Sequence, residues 1–186
     1  MAAPVTLAPE TYVVGVVLPV PQPWGDDLTA WRQGFGDPHA DRMPAHITLL
    51  APLRFSPAAY ARLLAALPEK LAAVPTFDVT IGSIGTFRPV SPVVFLDVHA
   101  TGDSLRALHA AVLAAAGSPP QRHPFHPHIT VAMDLPDAVL DAAAGALSGY
   151  QGRWQAVEVA VYLRDSAGIW HEQQRVALPG TDSISH

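Results

Sequence analysis

The chain has 186 residues, of which 49% are hydrophobic and 15% charged, so a disordered chain is excluded and one domain with a sizeable core is expected. Eleven Lys and Arg stand against sixteen Asp and Glu. The net charge of −5 argues against a broad basic surface for long nucleic acid and favours a small or terminal ligand. There is no cysteine, which excludes disulfides, thiolate nucleophiles and cysteine–zinc sites.

Met1 to Glu10 lacks Lys and Arg, so a signal-peptide basic region is missing. The apolar run Tyr12–Val20 is interrupted by Pro19 and is too short to span a bilayer. It reads as a first core strand, centred on the β-branched Val13–Val17, in a protein expected to be cytoplasmic. Pro19, Pro21 and Pro23 stop that strand, Asp26–Gln33 suits a short helix, and Gly34–Arg42 is a loop. A strand from His46 follows. Ser56-Pro57 is a helix start, with Ser as cap and Pro at the first helical position, and the Ala/Leu-rich helix runs to Leu71 with Pro68 as a stop or kink. Phe77–Ile81 and Pro92–Val98 read as strands. Thr101–Ala116 is a helix by the spacing of Leu105, Leu108 and Val112, ended by Gly117-Ser118-Pro119-Pro120. The loop Arg122–Pro127 leads into a strand from His128. A helix over Pro136–Leu147 and strands over Trp154–Leu163 and Trp170–Leu178 complete the domain, with a turn at Asp165–Gly168. The tail 179–186 is expected to be flexible.

One short pattern occurs twice, as His46-Ile47-Thr48-Leu49 and His128-Ile129-Thr130-Val131. Residues i and i+2 of a strand share a face, roughly 6.5–7 Å apart. Each copy therefore offers an imidazole and a hydroxyl to one surface and anchors its alternate residues in a core. Two such strands on one cleft supply an acid, a base and two hydroxyl donors, a set suited to a phosphodiester. The elements fall into two similar halves, each with a His-x-Thr strand before a helix. The expectation is a single α/β domain of two packed lobes around a central cleft, related by rough two-fold symmetry.

Pro44-Ala45-His46-Ile47-Thr48-Leu49-Leu50-Ala51-Pro52 and Phe125-His126-Pro127-His128-Ile129-Thr130-Val131-Ala132 resemble the two signatures of the 2H phosphoesterase superfamily. The nearest branch is that of the bacterial RNA 2′,3′-cyclic phosphodiesterases, also called 2′-5′ RNA ligases. The resemblance implies a bilobal α/β (α+β) fold, each lobe with a mainly antiparallel sheet and flanking helices, and a cleft between the sheets. It implies metal-independent, cofactor-free hydrolysis of a 2′,3′-cyclic phosphate on a nucleotide or RNA terminus, with reversible 2′-5′ ligation as a further activity. His46, Thr48, His128 and Thr130 match the catalytic positions, with His128 as base and His46 as acid by analogy. Close relatives often carry a basic residue shortly after the second motif, where Ala132-Met133 stands here. Phosphate charge must then be met elsewhere, with Arg54 and Arg122 as candidates; Phe125 could stack a base. The expected partner is a small nucleotide or an RNA end, with no duplex and no membrane, and the expected state is a monomer.

Two other readings remain open. His123, His126 and His128, joined by Asp134 and His46, could form a metal-dependent hydrolase centre, although no His-Glu-x-x-His spacing is present. Alternatively, the cleft could bind nucleotides or RNA ends without turnover.

Overall fold

The computed structural model describes residues 11–121 and 123–180. Eight strands and four helices alternate: β1 (Tyr12–Pro19), α1 (Trp24–Gly34), β2 (His46–Phe55), α2 (Pro57–Leu71), β3 (Phe77–Thr86), β4 (Val93–Ala100), α3 (Ser104–Ala115), β5 (His128–Met133), α4 (Asp137–Ala146), β6 (Arg153–Ala156), β7 (Glu158–Arg164) and β8 (Trp170–Ala177). The α2 start behaves as its sequence dictates, with the Ser56 hydroxyl accepting from the Ala59 N–H at 3.2 Å and Pro57 at the first position. The helix runs through Pro68 to Leu71, so that proline neither stops it nor ends the pattern of Leu63, Leu67 and Leu71 facing inward. Among the described residues no helix is long and apolar enough to cross a membrane.

All eight strands form one antiparallel sheet in the order β6-β3-β4-β5-β2-β1-β7-β8. Its two four-stranded halves meet at the centre, where β2 and β5 pair through Ile47 opposite Ile129. Two separate sheets with a cleft between them were expected; instead the two halves are joined edge to edge in one continuous sheet, and the chain is shared differently between them. β3 crosses into the half that holds β4 and β5, and β7–β8 return to the half that holds β1 and β2. The segment expected as one strand, Trp154–Leu163, is two strands. β6 pairs with β3 at one edge, and β7 pairs with β1 near the other.

That switch dictates the shape of the sheet. β6 and β7 are six positions apart in the strand order, which is roughly 29 Å in a flat sheet. Only Val157 lies between them, and one residue bridges about 7 Å at most. The sheet must therefore curl until its two halves approach at this rim. Cross-links there close the curl: the Leu178 N–H donates to the Val157 carbonyl at 2.8 Å, and the Thr76 N–H donates to the Pro179 carbonyl at 2.8 Å. Pro179 is thus held, while residues 181–186 of the expected tail lie outside the described residues.

Alternate strand residues sink into one apolar core with Leu28 of α1, Leu63 and Leu67 of α2, Leu108 and Val112 of α3, and Leu140 of α4. Ile47, Leu49, Ile129 and Val131 belong to that core. By strand alternation, His46, Thr48, His128 and Thr130 face the other way. Ile47 and Ile129 are both fully buried at the seam. Truncating Ile129 to Ala is expected to destabilise the fold by about 2–5 kcal/mol, against about 1 kcal/mol for removing the helix cap with Ser56→Ala. Urea unfolding of both variants measures the difference.

Candidate active site

The antiparallel pairing of Ile47 with Ile129 sets the relation of the two motifs. Continuing that register by one residue in each direction places His46 beside Thr130 and Thr48 beside His128. Each imidazole thus neighbours the hydroxyl of the other motif. All four side chains are half-buried. Neither threonine hydroxyl bonds to a protein group among the described residues.

The two histidines are held in the same way. His46 Nδ1 lies 2.7 Å from the Pro44 carbonyl, and His128 Nδ1 lies 2.8 Å from the His126 carbonyl. A carbonyl only accepts, so Nδ1 carries the proton and donates, which leaves Nε2 as the free acid–base position on both rings. Phe87 and Phe95 brace His128 with their rings edge-on to the imidazole, at centroid distances of 4.9 and 5.3 Å. Burial pushes the His46 imidazolium down to about 4, with the nearby Arg32 and His128 charges adding to it and the Pro44 carbonyl opposing. Burial also lowers His128, which Asp97 partly offsets. Both imidazoles therefore stand neutral near pH 7 until an anion arrives.

The cleft around His46, Thr48 and Thr130 has a volume of about 370 Å³ and is also lined by Arg32, Arg42, Arg164 and Trp170. The Arg32 charge is spent: its Nε donates to the buried Asp37 carboxylate at 2.9 Å and its Nη1 to the Met43 carbonyl at 3.3 Å. Arg42 and Arg164 form no ion pair among the described residues, and Arg164 lies over the Trp170 ring at 5.6 Å. These two guanidiniums are the cleft's available positive charge. Sequence reasoning missed them because Arg42 lies in the α1–β2 loop and Arg164 ends β7; only the curl of the sheet and the Trp170 N–H bond to the Arg42 carbonyl, 3.1 Å, bring them together. Asp134, just after β5, takes a left-handed backbone (φ 54°) and binds His39 Nε2 at 2.8 Å at the edge of the same cleft.

The other expected residues lie elsewhere. Arg54 is exposed near the end of β2, with its guanidinium 3.5 Å from the Thr11 hydroxyl, and does not line the cleft. The Phe125 ring stacks face to face on His109 of α3 at 4.0 Å, which anchors the loop before β5 and occupies that face of the ring. Arg122 lies outside the described residues. Of the three histidines of the 123–128 segment, His126 and His128 have ring centroids 6.0 Å apart, His126 Nε2 binds Asp97 at 2.8 Å, and His123 is exposed. Among the described residues no three of His, Asp or Glu converge as a ligand set.

Proton NMR titration should find His46 protonating near pH 4 and His128 below its ordinary 6.5, with His46 moving upward in His128→Gln as the neighbouring charge is removed. A folded His46 that stays neutral binds fewer protons than the unfolded chain between pH 6.5 and 4, so stability should fall as pH drops through that window. Urea midpoints at pH 7 and pH 4.5, compared with His46→Gln, check the sign.

Residues 19–168 match the family model described as the 2′-5′ RNA ligase superfamily. The chain is 27% identical over 124 residues to "Putative phosphoesterase GK0864" of Geobacillus kaustophilus, covering 67% of this chain and 70% of that protein. It is 28% identical over 110 residues to "Putative phosphoesterase OB1230" of Oceanobacillus iheyensis, covering 59% of this chain and 64% of that one. Among solved structures, E. coli LigT complexed with 3′-AMP superposes with a TM-score of 0.70 at 21% identity, covering 91% of this chain and 99% of LigT. TT0787 of Thermus thermophilus superposes with a TM-score of 0.59 at 19% identity, covering 91% of this chain and 99% of that one. At such identities the structures speak for the shared fold. The family match spans both His-x-Thr strands and most of the domain, and this chain belongs to the 2′-5′ RNA ligase superfamily, the 2H phosphoesterases.

Proposed function

We propose that this protein is a metal-independent phosphodiesterase that opens a 2′,3′-cyclic phosphate, on a nucleotide or an RNA terminus, to a phosphomonoester. One observation carries the reading: two imidazoles, each pinned through Nδ1 to a carbonyl with Nε2 left free, sit on strands whose register sets each histidine opposite the other motif's threonine. Family membership and the phosphoesterase names of the relatives support the reaction class.

In the forward step, one neutral Nε2 takes a proton from water as the water oxygen bonds to phosphorus. The other imidazole, protonated, gives its Nε2 proton to the ribose oxygen as the P–O bond breaks. The two rings thus exchange protonation states, and solvent resets them. Thr48 and Thr130 donate to the non-bridging oxygens and hold phosphorus in line. Arg42 and Arg164 supply the charge for which Arg54 and Arg122 were the sequence candidates. Burial makes His46 the harder of the two to protonate. This favours His46 as the neutral base and His128 as the acid, the reverse of the family analogy. An incoming phosphodiester anion raises both rings and charges His128 first. With the 5′-hydroxyl of a second RNA end in place of water, the same proton exchange opens the cyclic phosphate, the 3′-oxygen leaves with its proton, and a 2′-5′ bond forms.

Hydrolysis of the four nucleoside 2′,3′-cyclic phosphates in EDTA should proceed, and should fall by about 10²-fold or more in His46→Ala and in His128→Ala. Thr48→Val and Thr130→Val should each cost about 10²-fold in kcat. Because both imidazoles are depressed in the free enzyme, the bell of kcat/KM should be centred below pH 6.5. A p-nitrophenyl phosphodiester needs no leaving-group acid, so it should rescue His128→Ala and not His46→Ala; rescue of His46→Ala instead would reverse the roles. Absence of turnover in EDTA with every cyclic nucleotide would overturn the reading.

A further inference from the structure

We propose that a second cavity, on the far side of His46 from the arginines, is the subsite for the nucleoside of the substrate, and that Asp26 there reads the amino group of its base. The proposal rests on the cyclic phosphodiesterase reading above and adds to it the orientation and the base preference of the substrate.

This cavity has a volume of about 410 Å³, within the range that nucleoside-sized ligands occupy. His46, Val17 and Met43 line both it and the catalytic cleft, so the imidazole stands on the wall between two arms of one groove. The arms differ in charge. The cleft arm holds the unpaired Arg42 and Arg164. The second arm holds Asp26, Glu158 and Arg175 with the neutral Gln22, Gln155 and Tyr162. Arg175 offers nothing to an anion, because it is clamped by two carboxylates. Its Nε and Nη2 donate to Glu172 at 2.8 and 2.9 Å, and its Nη1 donates to Glu158. Glu172 also accepts from the Tyr162 hydroxyl at 3.0 Å. Asp26, exposed in the first turn of α1, has no hydrogen-bond or ion partner among the described residues.

A phosphodiester centred on His46 and His128 therefore meets opposite fields on its two sides. Further phosphates of an RNA chain are attracted to the arginine arm and repelled from the acidic one. The uncharged part of the terminal residue, its ribose and base, is left for the acidic arm. There the apolar Val17, Pro19 and Val20 offer contact area, and amide and carboxylate groups offer hydrogen bonds. A carboxylate only accepts, so facing the 4-position of a pyrimidine it favours the cytosine N–H₂ and is repelled by the carbonyl oxygen that uracil carries there. Adenosine, cytidine and guanosine carry an N–H₂ group and uridine does not.

The test compares Asp26→Asn and Gln155→Trp with wild type on the four nucleoside 2′,3′-cyclic phosphates and on glycerol 1,2-cyclic phosphate, which has the reacting group and no base. The Asp26→Asn variant should lower the cytidine-to-uridine ratio of kcat/KM about 5-fold or more. The Gln155→Trp variant, which fills the arm from the edge strand, should lower the ratio of cytidine to glycerol cyclic phosphate about 10-fold or more, through KM. Unchanged ratios in both variants would overturn the subsite while leaving the phosphodiesterase reading intact. Binding of cytidine 3′-monophosphate, followed by calorimetry, needs no turnover. Binding to wild type that weakens at least 5-fold in Gln155→Trp supports the subsite even if hydrolysis fails; equal binding by the two proteins overturns it.

Discussion

The whole site hangs on one backbone pairing, that of Ile47 with Ile129. It is where the two four-stranded halves join, and it lies fully buried between the core and the cleft. Strand alternation converts this contact into chemistry. With two isoleucines opposite each other on the core side, the residues flanking them must face the cleft, and antiparallel register must set each histidine beside the other motif's threonine. A slip of one residue in either strand would turn that strand's imidazole into the core, where Leu49 or Val131 now packs. The apolar cost of that slip specifies the register, so the catalytic geometry is protected by hydrophobic burial and not by polar contacts among the catalytic groups.

Desolvation then tunes what register has placed. The same curl that closes the sheet half-buries the imidazoles, and burial disfavours their charged forms. The carbonyls of Pro44 and His126 oppose this only partly, and their larger effect is to hold the tautomer. An empty site with two neutral rings carries no positive charge of its own beyond the arginines. In the proposed reaction a bound phosphodiester anion makes protonation of one ring favourable, so the acid is assembled on binding.

The charge around His46 is divided rather than simply positive. The protein's net charge is −5, and several of its arginines are neutralised where they stand: Arg32 by Asp37, Arg88 by Asp137 and Asp141, Arg175 by Glu158 and Glu172. Against that background, Arg42 and Arg164 stand out in the cleft because neither forms an ion pair among the described residues. The position where relatives carry a basic residue after the second motif leads here to Asp134, bound to His39. The cleft's arginines without an ion pair among the described residues thus come from the α1–β2 loop and from the end of β7 and not from β5.

Much of this was legible in the chain. The repeated His-x-Thr strands, their period-two alternation, the Ser56 cap, the Leu spacing of α3 and the turn at Asp165 are local signals, and each is read from residues a few positions apart. The placement of the two His/Thr pairs on one face followed from them because both motifs carry their own placement rule. The strand switch at Val157, the exchange of β3 and β7 between the halves, and the convergence of Arg42 and Arg164 were not legible. They depend on which edges pair across the fold and on the curl that a one-residue crossover imposes. Phe125 shows the same limit from the other side. Its aromatic character was plain, but stacking on His109 rather than on a base is a matter of where α3 lies. Sequence alone determined which imidazoles and hydroxyls share a face, because a strand's periodicity is local; tertiary structure decided their electrostatic surroundings, because charge acts through space between residues far apart in the chain.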